Sequence, residues 1–396
     1  MSIFNSLGSN YNLKYVLHSL FSDSDGTNQK LKRFLENKYN GKAILTYKGR
    51  EALILALKIL NLPKESQIAI NGFTCFAVYK AVEQAGLTPI CLDLDEKNTD
   101  LNFSPETLEK ALKENSNIKA VIVQNTLGYP ADIEKISKTC SEKNIILIED
   151  LAHCVGAKYR DGKETGSPRF AGEAGSVGDF VALSFSQDKV IDAVSGGALI
   201  IKNKQYNNLA IQQFSNINIY QKLKDRLYPL LTYKIRFLYD SGLGKPFHFL
   251  LKKFNLLSKP MQEGLYDFYS LPEWYCNLTL REFNNLTKQL NHRKEIAKIY
   301  AKNLNKKILQ ERIINMIDLS SNLRFPIFVE NRNSLIKFLK KSKIFISDIW
   351  YDDVAKDCPN AVNISHKILN LPAHINVSRQ DALKIAERIN AWLKSH

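Results

Sequence analysis

Two side chains about forty residues apart can carry chemistry in this chain, Asp150 and Lys189. Asp150 ends the apolar run Ile145-Ile146-Leu147-Ile148-Glu149-Asp150, with Leu151-Ala152-His153 after it. A carboxylate at the C-terminal end of a strand stands where open α/β sheets bind ligands, and it can pair with a cationic ring nitrogen. Lys189 follows the strand-like Gly178-Asp179-Phe180-Val181-Ala182-Leu183-Ser184-Phe185, and Ser195-Gly196-Gly197-Ala198 comes after it. A lysine held partly out of water loses basicity and can condense with an aldehyde. The glycine pair permits close backbone approach. Taken singly, each residue has a plainer reading: Asp150 as a helix cap or surface acid, Lys189 as a solvated loop lysine. Together they suit pyridoxal 5'-phosphate, whose aldehyde needs an amine and whose pyridinium needs an acid to keep its proton. Its phosphate needs hydroxyls and helix-terminal amides. Ser184 offers a hydroxyl. Gly49 and Arg50 offer amides and a charge, although Arg50 also reads as an ordinary helix-start residue.

The elements that must position these groups are legible in the apolar periodicity. Helices are expected over Leu31–Tyr39, Arg50–Leu60, Ala77–Ala85, Pro105–Glu114 and Ile133–Lys143, the last capped by Asp132. Strands are expected over Gln67–Ile70, Thr88–Leu92, Ala120–Val123, Ile145–Ile148, Phe180–Phe185 and Ala198–Ile201. Alternation of this kind predicts crossover units and a mostly parallel sheet. Continuous apolar runs predict strands buried on both faces. From Asn203 to about Arg293 the chain reads as mainly helical, and from Asn322 onward as a smaller α+β unit. The expected organisation is an N-terminal segment 1–40, a large domain 41–205, a helical connecting region 206–300 and a small C-terminal domain 301–396.

Composition narrows the class. With 44% hydrophobic and 24% charged residues, the 396-residue chain has globular values. No window is long and apolar enough for a spanning helix, and Met1–Leu20 lacks a secretory-signal layout. Six scattered cysteines give no zinc spacing and fit reduced thiols in a cytoplasmic protein; no metal is expected. Neither GxGxxG after a strand nor GxxxxGK[ST] is present.

The segments around Asp150 and Lys189 resemble the DegT/DnrJ/StrS family of pyridoxal-phosphate sugar aminotransferases. The resemblance is strongest from Ala43 to Ile201. It rests on Tyr47-Lys48-Gly49-Arg50-Glu51-Ala52-Leu53, Gly128-Tyr129-Pro130-Ala131-Asp132, Glu149–His153 and Ser184–Lys189 with Gly196-Gly197. Leu371-Pro372-Ala373-His374 is similar to a late turn of the family. The resemblance implies a fold-type I transferase: a large domain with a mostly parallel sheet of the seven-stranded type, and a small C-terminal α+β domain. It implies Lys189 as the covalent attachment point and proton carrier and Asp150 on the pyridine nitrogen. It places His153 near the phenolic oxygen and Ser184, Gly49 and Arg50 on the phosphate. His153 as a satisfied structural histidine is the alternative. It further implies a homodimer, an amino donor such as glutamate, and a keto-sugar acceptor, nucleotide-linked, in surface-glycan or related biosynthesis.

Four departures stand out. Arg50 occupies a position that is Thr in the family. Cys75 takes the place of the aromatic residue that stacks on the cofactor ring, so either Cys75 covers that face or Phe73 or Phe76 shifts to do so. Val194-Ser195 replaces Gly-Glu before the glycine pair. The partner-subunit Asn has no clear counterpart, with Asn216 and Asn218 as candidates. Two other readings remain open here: a dehydratase-like relative, disfavoured because such enzymes replace the lysine with histidine, and a non-catalytic regulator or scaffold.

The net charge of +15 is uneven. Residues 218–259 hold nine Lys/Arg against Asp225 and Asp240, interleaved with Leu and Phe. Such a stretch reads either as a helical insertion with lysines in water or as peripheral contact with an anionic membrane surface. No nucleic-acid module is recognisable, and no nucleic-acid partner is expected.

Overall fold

The computed structural model describes residues 2–22, 24–95, 100–159, 172–207, 214–259, 268–346 and 354–395. The chain starts with β1 (Ile3–Phe4), α1 (Leu13–Phe21) and α2 (Thr27–Tyr39). Alternation follows: β2 (Lys42–Thr46), α3 (Gly49–Ile59), β3 (Gln67–Asn71), α4 (Phe76–Gln84), β4 (Thr88–Leu92), α5 (Pro105–Glu114), β5 (Ile118–Val123), α6 (Ile133–Glu142), β6 (Ile146–Asp150), β7 (Phe180–Ser184) and β8 (Gly197–Ile201). Then come α7 (Ile219–Phe237), α8 (Gly244–Lys253), α9 (Glu273–Asn284) and α10 (Leu286–Asn303). The C-terminal part contains α11 (Glu311–Asn315), β9 (Arg324–Phe328), α12 (Arg332–Lys341), β10 (Ile344–Phe345), α13 (Pro359–Lys367), β11 (Ile368–Pro372) and α14 (Arg379–Ser395).

β2 to β8 form one seven-stranded sheet in the order β2-β8-β7-β6-β5-β3-β4. β8 runs antiparallel to both neighbours; the other pairs are parallel. The mostly parallel sheet read from the sequence is therefore present. Its central strands are fully buried, β7 and β8 at every residue, because helices cover both faces. Chain order reverses between β3 and β5, and β5, β6 and β7 then step away from β4. At such a switch point the loops after the strands diverge and leave a crevice at their C-terminal ends. Those ends are Asn71, Val123, Asp150 and Ser184.

The first forty residues thread through both halves. Ile3 lies in the apolar cluster of the C-terminal part, and β1 pairs in parallel with β10. Tyr11, Tyr15, Leu31 and Leu35 lie in the core against the sheet. Between these, Asn5 donates to the Asn370 carbonyl at 2.6 Å and accepts from Arg324 at 2.7 Å through its own carbonyl.

Glu149 sits one residue before the C-terminal end of β6, completely buried. Its carboxylate accepts from the Tyr159 hydroxyl and from the amides of Gly175, Val177 and Gly178 at 2.5–2.8 Å. It thereby folds the segment after residue 172 back against β6. Glu149→Ala strands three buried amide donors and is expected to cost about 3–5 kcal/mol, measured by urea denaturation.

Candidate active site

Asp150 is 4% exposed and is register-paired with Ala182 of β7. One carboxylate oxygen accepts from the Ala152 amide at 2.9 Å. Burial pushes its pKa up to about 6, opposed by that amide and by the charge of Lys189. Lys189 follows Ser184, the last residue of β7, by five positions and is partly buried. Burial lowers its pKa, while Cys75, Asp150 and Asp188 within electrostatic range pull it back up. The acid and the amine of the sequence reading are thus brought to adjacent strand ends.

His153 is buried, and its Nδ1 accepts from the Leu127 amide at 3.3 Å. Burial and the charges of Lys189 and Arg324 hold it well below the usual histidine range, so the ring is neutral at pH 7. Cys75 is the partly exposed N-cap residue just before α4, and the Lys189 charge senses it. Phe73 is buried in the C-terminal apolar cluster and Phe76 is half exposed on α4. Of the three ring-face candidates, Cys75 is the one that acts electrostatically on Lys189, Phe73 is committed to the C-terminal apolar cluster, and Phe76 is open to solvent.

Gly49 and Ser184 touch. A Cβ built on Gly49 would lie 2.6 Å from Ser184 Cβ and 2.9 Å from its Oγ. One built on Gly197 would meet Gly49 Cα at 2.7 Å. Only hydrogen at both positions lets the start of α3 reach the Ser184 hydroxyl. Lys48 gives α3 no side-chain cap, so its first amides face this hydroxyl with the positive end of the helix dipole. Lys48 Nζ is buried, makes no hydrogen bond among the described residues, and lies 4.5 Å from the Tyr47 ring centroid. Arg50 stands in the first turn of α3, partly exposed. Among the partner-subunit candidates, both exposed, Asn218 caps α7 through the Gln221 amide at 2.7 Å and Asn216 Oδ1 accepts from Ser270 Oγ at 3.3 Å.

Other residues at this site escaped the sequence reading. The turn carrying Lys189 is held by Asp192, which accepts from Tyr11 Oη at 2.6 Å, Asn10 Nδ2 at 2.8 Å and the Asp188 amide at 2.8 Å. Asn10 also donates to the Lys189 carbonyl at 3.3 Å. Asp188 and Val194 adopt φ of 64° and 69°, a conformation that costs a β-branched residue such as valine. Arg324, fully buried, adds positive charge toward Lys189, His153 and Asp188. A lone arginine entering the apolar run Phe325–Val329 is a signal the sequence did offer.

Burial and the neighbouring Asp188 charge raise the Asp192 pKa to about 7. A carboxyl whose folded pKa lies above its unfolded value binds its proton more tightly when folded. Its contribution is therefore fully present below about pH 4 and lost as pH rises toward 7. Asp192→Asn is expected to flatten the fall of Tm between about pH 5 and about pH 8, measured by melts across that range.

The residues present fit pyridoxal phosphate. A buried carboxyl and a lysine of lowered basicity stand at adjacent strand ends within electrostatic range of each other, and an uncapped helix start meets a hydroxyl across two close glycine contacts. The family model of the DegT/DnrJ/EryC1/StrS aminotransferases matches residues 17–390. The chain belongs to this family. It is accordingly an enzyme of the aminotransferase class. GDP-perosamine synthase of Escherichia coli O157:H7 is 22% identical over 374 residues, 91% of this chain and 88% of that protein. Helicobacter pylori PseC, an aminotransferase involved in the biosynthesis of pseudoaminic acid, superposes with a TM-score of 0.70 at 16% identity, covering 100% of both chains. The aminotransferase from Psychrobacter cryohalolentis gives 0.68 at 16% identity, covering 96% of each chain. These likenesses support the fold-type I architecture expected from the sequence. Among the described residues no helix is long and apolar enough to cross a membrane.

Proposed function

We propose that this chain is a pyridoxal-phosphate-dependent aminotransferase that moves an amino group from an amino acid, glutamate in the first instance, to a nucleotide-linked keto sugar. The observation that carries this reading is the pairing of buried Asp150 with Lys189 across adjacent strand ends, in a chain of this family. The sugar is suggested by the perosamine and pseudoaminic acid enzymes among its relatives. Surface-glycan biosynthesis in the cytoplasm, by a homodimer, is part of the proposal. An exposed apolar stripe on α1 (Leu13, Leu17, Phe21), with Ile219 and Leu223 of the adjacent α7, supports a covered face there.

Pyridoxal phosphate, when bound, supplies an aldehyde and an electron-accepting ring. Lys189 Nζ takes the proton from the donor's α-carbon and later returns one to the sugar carbon. Its lowered pKa leaves more of it as free amine than an exposed lysine has, which suits it as a base. Asp150 would hold a proton on the ring nitrogen. The hydrogen bond from the Leu127 amide orients neutral His153, which would serve the phenolic oxygen. Ser184 Oγ and the first amides of α3, with Arg50 beside them, receive the phosphate. Cys75 would lie against the ring face. The test is the donor half-reaction: with pyridoxal phosphate and glutamate, 2-oxoglutarate forms in one equivalent per chain. Catalytic turnover then requires an added keto sugar. No keto acid with any common amino donor contradicts the proposal.

A further inference from the structure

α8 carries apolar side chains on two faces. Gly244, Phe247 and Leu251 turn inward. Pro246, Phe249, Leu250 and, just past the helix end, Phe254 follow the i, i+3, i+4, i+8 spacing on the outer face. Phe249 is 66% exposed, Phe254 63%, and Leu243 in the preceding turn 61%. A surface helix of a protein that meets only water turns polar residues outward. Lys245, Lys252, Lys253 and Lys259 flank this stripe. The one carboxylate between residues 237 and 259, Asp240, already meets Lys343 at 3.3 Å and the Ser2 hydroxyl at 2.7 Å.

We propose that α8 and the turn leading into it seat this enzyme on the anionic surface of a lipid bilayer. Exposed phenylalanines would enter the headgroup boundary while the flanking lysines meet lipid phosphates. The charge selects this occupant. A two-fold contact through the same stripe would bring together two patches that each carry Lys245, Lys252 and Lys253, with Asp240 the one carboxylate near them and already paired. Attachment is peripheral, since α8 has ten residues and an inner face committed to the core. A cavity of about 750 Å³ is lined by Lys252 of α8, by Lys259 and Lys340, and by Gln187 and Asp188, next to Lys189. α8 therefore borders, through this cavity, the turn that carries the reactive amine. The inference rests on α8 alone and stands apart from the choice of substrate.

The test uses the purified full chain and vesicles of phosphatidylcholine, with or without about 30% phosphatidylglycerol. The protein is expected to sediment with the anionic vesicles, to stay in solution with phosphatidylcholine alone, and to be released by about 0.5 M salt. Lys252→Glu/Lys253→Glu is expected to weaken partitioning about thirtyfold or more. Phe249→Ser/Phe254→Ser is expected to weaken it about tenfold or more, with an unchanged melting curve. Absence of anionic-vesicle binding, or equal binding by the variants, overturns the proposal. So does a smaller oligomer for Phe249→Ser/Phe254→Ser by light scattering, because the stripe then belongs to a second copy of the chain.

Discussion

Lys189→Ala is expected to lower amino transfer by about 10⁴-fold or more while leaving the fold intact. The side chain removed is the proposed base at the reacting carbon, and among the described residues Lys189 is the lysine whose charge acts on Asp150. The turn survives because its contacts are made elsewhere. The Lys189 amide donates to the Ser186 carbonyl, Asn10 binds the Lys189 carbonyl, and Asp192 gathers Tyr11, Asn10 and the Asp188 amide. Burial already lowers the Lys189 pKa, so the native state tolerates its charge poorly. The alanine variant should melt at the same temperature as wild type or higher, as when an activity-bearing strain is relieved. Lys189→Arg separates charge from proton transfer: arginine stays protonated, so this variant is expected to be as inactive as alanine. Steady-state rates and melting curves on the three proteins check this. Activity within tenfold of wild type in either variant removes Lys189 from the mechanism.

Asp150→Asn is expected to reduce the rate about 10²–10³-fold and to weaken retention of pyridoxal phosphate through dialysis. Asparagine keeps the shape and can still accept from the Ala152 amide, but it cannot hold a proton on a ring nitrogen by charge. The free protein should not lose stability, because a carboxyl raised to about 6 costs folding free energy when ionised at pH 7. A pH profile tests the role separately. Wild-type activity should fall on the acid side, with a midpoint at or below about 6, as Asp150 takes up its proton. That limb should be missing from the residual activity of the variant. An unchanged rate with an unchanged profile would make Asp150 structural.

What could be read from the sequence follows from how local each signal is. β4 and α5 match their expected bounds, and β3, β5, β6, β7 and β8 differ by only a residue or two at their ends. Their apolar runs and flanking turns are local, and burial on both faces leaves no competing pattern. Asp150 and Lys189 were legible for the same reason, since each closes or follows such a run. β2 gave too little pattern: it is a short edge strand with partly exposed residues at Lys42 and Leu45. The strap that steadies the lysine was not legible either. Tyr11 and Asp192 meet across 181 positions through one hydroxyl, a contact with no periodicity. β1 and β10 are two residues each and acquire meaning only when paired. The double-faced character of α8 was visible only as a greasy, basic stretch until the fold assigned Leu251 inward and Phe249 outward.

The most direct measurement is borohydride reduction of the chain incubated with pyridoxal phosphate, followed by peptide mapping by mass spectrometry. The account predicts one adduct per chain, on the peptide that holds Lys189, and its disappearance when glutamate is added before reduction. An adduct spread over surface lysines with Lys189 unmodified, or one on Lys189 that glutamate leaves unchanged, would contradict it.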